Sequence, residues 1–268
     1  MALRGIFSYW MLPVISGLAW LATLLSLLLF WIFHDDREVY ETMEDSQTIP
    51  YISDIGATEL QPLFITGCVL TSVFLDLAFV SERWLRHNGR LIANGSRREK
   101  VFSGISIFFA FVGTVGLILL AVFDTRSHPA LHLMCLGLFI LGYIVSAIFI
   151  CWEYRRLGVM SLDNREYSIL RKSFWIKLVF ILIEFGLVVG FMVSMRTGNS
   201  NAAAVLEWVV SFVFTFYAIS FVVDLWPAVR TKNNGSRFAK PNEMEEAAAH
   251  GYSYAPAASS ETNRQMNF

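Results

Sequence analysis

Two histidines, His128 and His132, stand on either side of Pro129, a few residues after Asp124. A second acid, Glu207, precedes Trp208, and a third, Asp54, closes the segment Pro50-Tyr51-Ile52-Ser53-Asp54. Two imidazoles with two or three carboxylates can bind a divalent metal, move protons as acid and base, or clamp a lipid headgroup. They can also satisfy one another as a structural network, the usual fate of buried polar groups. Pro129 suits the first turn of a helix and disfavours helical geometry at His128. The His-x-x-x-His pair is therefore broken at its first member, and we assign no metal and no cofactor. Asp124, His128 and His132 are the candidate catalytic residues. Ser53, Asp54, Asp124, His128, His132 and Glu207 form the candidate polar cluster.

Those residues need a frame, and composition supplies it. The 268 residues are 55% hydrophobic and 16% charged, with mean hydropathy +0.52 and net charge −1. A soluble domain carries about 25% charged residues. An ordinary soluble enzyme, a disordered chain and a disulfide scaffold are poor fits, and no basic field marks nucleic acid as a partner. Cys68, Cys135 and Cys151 all fall in apolar runs and read as small buried side chains.

A bilayer core of about 30 Å takes about 20 apolar residues in helical form. Six segments qualify: 10–33, 61–81, 101–123, 130–152, 174–195 and 202–226. Within hydrocarbon every peptide group must be paired inside its own segment, so these are helices. The expectation is an all-α, polytopic membrane protein, a six-transmembrane-helix bundle. A short arm (1–9) precedes it and a polar tail (227–268) follows, with a brief helix conceivable at 243–249. The first apolar run exceeds a secretory h-region and lacks a small-x-small cleavage site, so it is read as a retained span. Trp10, Trp31, Trp84, Trp152, Trp175, Trp208 and Trp226 mark the span ends as an aromatic belt, leaving only Trp20 inside.

Orientation follows from Lys and Arg. The first connection holds Asp35, Asp36, Glu38, Glu41, Glu44, Asp45, Asp54 and Glu59 against Arg37 alone. The second holds Arg83, Arg86, Arg90, Arg97, Arg98 and Lys100, and the fourth holds Arg155, Arg156, Arg165, Arg171 and Lys172. Basic connections stay in the cytoplasm, so both termini are expected there and the polar cluster on the opposite side. The sequons Asn94-Gly-Ser96 and Asn234-Gly-Ser236 then face the cytoplasm and are expected to be unmodified.

Ionisable residues inside spans need a reason, since each costs about 2.5–3.5 kcal/mol near the centre. Lys177 and Asp224 lie near span ends, where they can snorkel or pair with loop charges. Asp76 is expected to do the same beside Arg83. Glu184 stands near the midplane and is expected to be protonated or bonded to a hydroxyl, with Tyr143 and Thr114 at the right depth. On the same span, Gly186 and Gly190 offer a small-xxx-small surface for close helix contact.

Taken together, the six spans, Pro50-Tyr51-Ile52-Ser53-Asp54-x-Gly56, the segment Phe123-Asp124-Thr125 … His128 … His132, and Glu207-Trp208 resemble the FRAG/DRAM/SFK family. That family is also known by the CWH N-terminal domain. The stretch Cys151-Trp152-Glu153-Tyr154-Arg155-Arg156-Leu157-Gly158 looks like its fungal members. The resemblance implies an integral membrane regulator or scaffold acting in membrane-lipid homeostasis, through phosphoinositide 4-kinase recruitment or phospholipid asymmetry. Its other branches imply remodelling of GPI-anchor or phospholipid acyl chains, or modulation of autophagy at a lysosomal or vacuolar membrane. The implied partners are membrane lipids and a phosphoinositide 4-kinase complex. The implied location is the plasma membrane or an endomembrane such as Golgi, ER or vacuole. The chain ends soon after span six, so it is expected to lack the second domain of the long CWH proteins.

Overall fold

The computed structural model describes residues 8–91, 97–159 and 165–230. Both sequons, the 243–249 segment and most of the tail lie outside the described residues. Helix α1 covers Met11–Phe33, α2 Ile52–Gly56, α3 Gln61–His87, α4 Arg97–Val122 and α5 Pro129–Val159. Then follow α6 (Arg165–Arg196), α7 (Ser200–Ser220), α8 (Val222–Leu225) and α9 (Pro227–Arg230). Six stretches are long and apolar enough to cross a membrane: α1, α3, α4, most of α5 and α6, and the run from Ser200 to Val229. No strand occurs among the described residues.

Several helices outlast their apolar windows. The third helix runs to His87 rather than Ser81, and α6 starts at Arg165 rather than Phe174. Helical bonding is internal to the backbone, so it continues past the hydrocarbon edge into polar residues. The last span is interrupted at Phe221, where Phe221 N bonds Ala218 O and the axis restarts as α8. Its Trp226 ring meets Trp10 at 5.3 Å, which puts both ends of the bundle on one face. That face also carries the basic connections, and we call it the basic end. The acidic connection 34–60 covers the other, acidic end.

The core runs through the centre of the bundle: Trp20, Leu24 and Leu27 of α1, Cys68 and Leu75 of α3, Leu117 of α4, Tyr143 of α5, and Phe214 and Tyr217 of α7. The closest helix approach is between α4 and α5. A Cβ on Gly116 would lie 2.5 Å from Phe139 N, and one on Gly142 would lie 2.5 Å from Gly113 N. The seam expected at Gly186 and Gly190 is not there. Gly186 has nothing within 4 Å of its Cβ position, and Gly190 meets only a Leu206 methyl at 3.4 Å. A spacing motif needs a partner surface, and α6 is the least enclosed of the six spans.

The tryptophans divide by end. Trp84, Trp152, Trp175 and Trp226 are exposed around the basic end. Trp31 and Trp208, at the acidic end, are buried, and their indole N–H groups hold the connection 34–60. The expected belt is thus present at one interface, while the other end spends its tryptophans inward.

Candidate functional site

The acidic end is built as a lid. The first helix stops in a left-handed turn, with Asp36 at φ 48° and Arg37 at φ 64°, and Arg37 N bonds Trp31 O at 2.9 Å. The reversed chain lets Trp31 Nε1 donate to Glu38 O at 3.1 Å. Further on, the start of α7 grips the strap. Asn201 Oδ1 accepts from Thr48 N at 2.8 Å and Ile49 N at 3.0 Å, while its Nδ2 donates to Ser46 O at 3.2 Å. Ser200 Oγ donates to Glu44 Oε2 at 2.5 Å, and Trp208 Nε1 donates to Pro50 O at 3.0 Å.

Helix α2 is seated by carboxylates. A short helix leaves its first N–H groups unpaired, and acceptors near its N-terminus satisfy them. Glu207 Oε2 accepts from Ile52 N at 2.9 Å, and Asp54 Oδ2 accepts from Tyr51 N at 2.9 Å. Ser53 and Asp54 are buried on this turn. Burial pushes the Asp54 carboxyl up from its ordinary value, against the opposing pull of Thr42, the Tyr51 N–H, His132 and Gln47.

His132 sits one turn into α5 and is buried. Its Nδ1 lies 2.8 Å from Leu120 O and 2.9 Å from Phe123 O, two carbonyls left over at the end of α4. Both partners can only accept, so Nδ1 carries the proton. The ring closes the α4 C-terminus as a cap. Asp124 and His128 lie apart, on the exposed α4–α5 turn. Asp124 accepts from Ser127 N at 2.5 Å and from Gln61 Nε2 at 3.3 Å. The Ser127 N–H is the main reason its carboxyl is held below the ordinary carboxylate value. His128 packs edge-on against Phe123 at 5.5 Å.

The six candidates therefore separate into two groups. Glu207 holds α2, which carries Ser53 and Asp54, and His132 lies near enough to bear on Asp54, while Asp124 and His128 remain outside. Sequence reading missed Asn201, Ser200 and Gln61. The one available signal was Asn199 at a helix start, where it caps Ala202 N at 3.2 Å. Among the described residues, no three His, Cys, Asp or Glu side chains are grouped to hold a metal ion.

A second polar system lies inside the basic end. Lys177 Nζ donates to Asp224 Oδ2 at 2.5 Å and to Ser173 Oγ at 2.9 Å, and both charged side chains are 0% exposed. Lys177 also lies 4.0 Å from the Phe221 ring centre. Nearby, Glu82 Oε1 accepts from Arg86 Nη2 at 2.6 Å and from Tyr154 OH at 2.6 Å. Lys177 and Asp224 were expected to snorkel or to reach loop charges, and instead they pair with each other across α6 and α8. A buried charge is tolerable only when paired and hydrogen-bonded, and these two helices bring the partners to one depth. Asp76 does not pair with Arg83. It reaches Thr114 on α4.

Of the two alternatives for Glu184, the hydroxyl bond is not seen at Oε1. Thr114 and Tyr143 hydroxyls bond each other at 2.9 Å, and Glu184 Oε1 is buried with no partner. It faces a cavity of about 60 Å³ between α1, α5, α6 and α7.

The pH dependence of the lid follows from Asp54. Its folded-state value is raised, so the docked lid binds the proton more tightly than the undocked chain does. Docking is strongest below the ordinary carboxylate range and weakens as pH rises through the raised value. We expect protease sensitivity of residues 35–50 in proteoliposomes to increase across that interval. The Asp54→Asn variant, always neutral, should flatten the curve, and an unchanged curve in that variant would remove Asp54 as its cause.

Six apolar helices, a polar lid at one end and paired charges at the other define a polytopic α-helical membrane protein. The chain belongs to the family described as the Frag1/DRAM/Sfk1/Cwh43P N-terminal domain, which matches residues 8–228. It is similar to Protein sfk1 of Schizosaccharomyces pombe, with 28% identity over 226 residues, covering 83% of this chain and 65% of that protein. It is also similar to Protein SFK1 of Saccharomyces cerevisiae, with 27% identity over 173 residues, covering 54% of this chain and 49% of that protein. The chain thus spans less than two thirds of the length of these relatives. No solved structure matches it.

Proposed function

We propose that the protein is a non-enzymatic membrane regulator in lipid homeostasis, with its basic end in the cytoplasm and its acidic lid on the opposite side. The observation that supports this reading is the use made of three members of the polar cluster. Glu207, Asp54 and the Nδ1 of His132 are each engaged with main-chain groups that hold the lid and the α4 end in place. These contacts are structural: they seat α2 and close the end of α4. On this reading the exposed Arg97 and Arg98 face the anionic leaflet, where each base near the surface contributes about 1 kcal/mol. They are the face that would recruit a phosphoinositide 4-kinase complex or bias phospholipid asymmetry.

The test is a deletion strain complemented with the wild type, with His132→Gln, or with Arg97→Gln/Arg98→Gln/Lys100→Gln. Membrane abundance is matched before plasma-membrane phosphatidylinositol 4-phosphate and GPI-anchor lipids are measured. The expected result is a phosphoinositide defect in the deletion and the basic-face variant, with GPI lipids unchanged throughout. GPI lipids that change in the deletion and are not restored by His132→Gln would overturn the regulator reading in favour of acyl remodelling.

A further inference from the structure

Two cavities share walls inside the bundle. Trp20, Phe139, Ile140, Val188, Val210 and Ser211 line both. The first continues to Glu184 and Tyr217, and the second to Ile52 and Glu207 under the lid. Together they form one slot along α7 from Glu207 to Tyr217, a run of ~15 Å at 1.5 Å per residue. That is about half of a 30 Å hydrocarbon core, the depth of one leaflet. The walls are almost entirely hydrocarbon and aromatic. Ile140 and Ile144 of α5 and Ile181 and Glu184 of α6 are only partly buried, so the slot opens sideways along the α5–α6 seam.

We propose that this slot binds one acyl chain of a membrane lipid from the leaflet next to the acidic lid, with the chain entering between α5 and α6. Three features select that occupant. The opening faces the membrane, so what enters comes from the bilayer. The length matches one leaflet, and the lining offers dispersion contact with very few hydrogen-bonding atoms. The closed end of the slot lies at Ala147, Ile181 and Tyr217, so the chain runs past Glu184 and ends there, with its headgroup beside Ile52 and Glu207. This inference requires only that the bundle sits in a membrane, and it stands or falls separately from the regulator reading.

The experiment uses the full chain in liposomes containing phosphatidylcholine with a diazirine near the middle or near the methyl end of one acyl chain. After photolysis, labelled residues are mapped by mass spectrometry. Mid-chain probes should label Phe139, Ile140 and Val210, and end-chain probes should label Tyr143 and Ile181. Val210→Trp, which fills the slot, should reduce slot labelling about tenfold, because a close-packed site has no room for both groups. Ala147→Trp, placed at the deep end, provides a second variant should the first fail to fold. Labelling of lipid-facing Leu138 and Leu141 reports general bilayer contact and should be unchanged. Slot labelling that survives both tryptophans, or a reversed order of mid-chain and end-chain sites, would overturn the proposal.

Discussion

Replacing Lys177 by Met lowers the stability of the bundle by about 3–5 kcal/mol, the cost of leaving one member of a buried ion pair alone. The partner left behind is Asp224, which is fully buried and whose Oδ1 already has no hydrogen-bond partner. Lys177 is its only cation within 4.0 Å among the described residues, and Ser173 and the Phe221 ring are arranged around the ammonium. Removing both charges gives a different outcome. The double variant Lys177→Met/Asp224→Leu should regain most of the loss, since apolar replacement of a whole buried pair is often neutral. Thermal unfolding in detergent micelles at matched concentration measures both. A single variant within 1 kcal/mol of wild type, or a double variant no better than the single, would show that the pair is not what α6 and α8 depend on.

The second large effect lies at the α4–α5 seam. Gly116→Ala and Gly142→Ala should each destabilise by about 1–3 kcal/mol, the range for forcing extra atoms into a packed core. The reason for the size is that the added methyl meets main chain. Phe139 N and Gly113 N cannot rotate away as a side-chain tip would, so the two helices must separate. Gly137→Ala on the same helix α5 is the control, because nothing lies within 4 Å of its Cβ position. It should stay within about 0.5 kcal/mol of wild type. Equal behaviour of Gly137→Ala and Gly142→Ala in the same unfolding assay would mean that close approach is not what these glycines provide.

The six spans were legible because hydropathy integrates over many residues and the bilayer imposes helix on each of them. Family membership was legible from the order of short motifs such as Asp124 … His128 … His132 and Glu207-Trp208. The site was only half legible. Residue type marked Glu207 and Asp54 as unusual, but it could not say that their partners are the main-chain N–H groups of Ile52 and Tyr51. Those partners depend on a helix too short to leave a periodic signature. Likewise His132 reads as a reactive imidazole until two orphan carbonyls of the preceding helix are placed beside it. The pairing of Lys177 with Asp224 was hidden for another reason. Depth along a span can be counted from sequence, while the angular position that brings α6 and α8 face to face cannot. Gly186 and Gly190 show the converse error, a correct spacing at positions where no neighbouring backbone comes close.

The uneven placement of tryptophan has a consequence for how the molecule responds to its host membrane. Indole rings at one border fix that border to the lipid carbonyls. Any hydrophobic mismatch is then absorbed at the far border, by tilt or by local thinning. That border holds the straps around Asn201 and Trp208, so a thicker membrane pulls lipid tails up against the lid and a thinner one leaves it standing clear. A protein anchored in this way would register membrane thickness at a single end, and its sorting between compartments would follow from that strain.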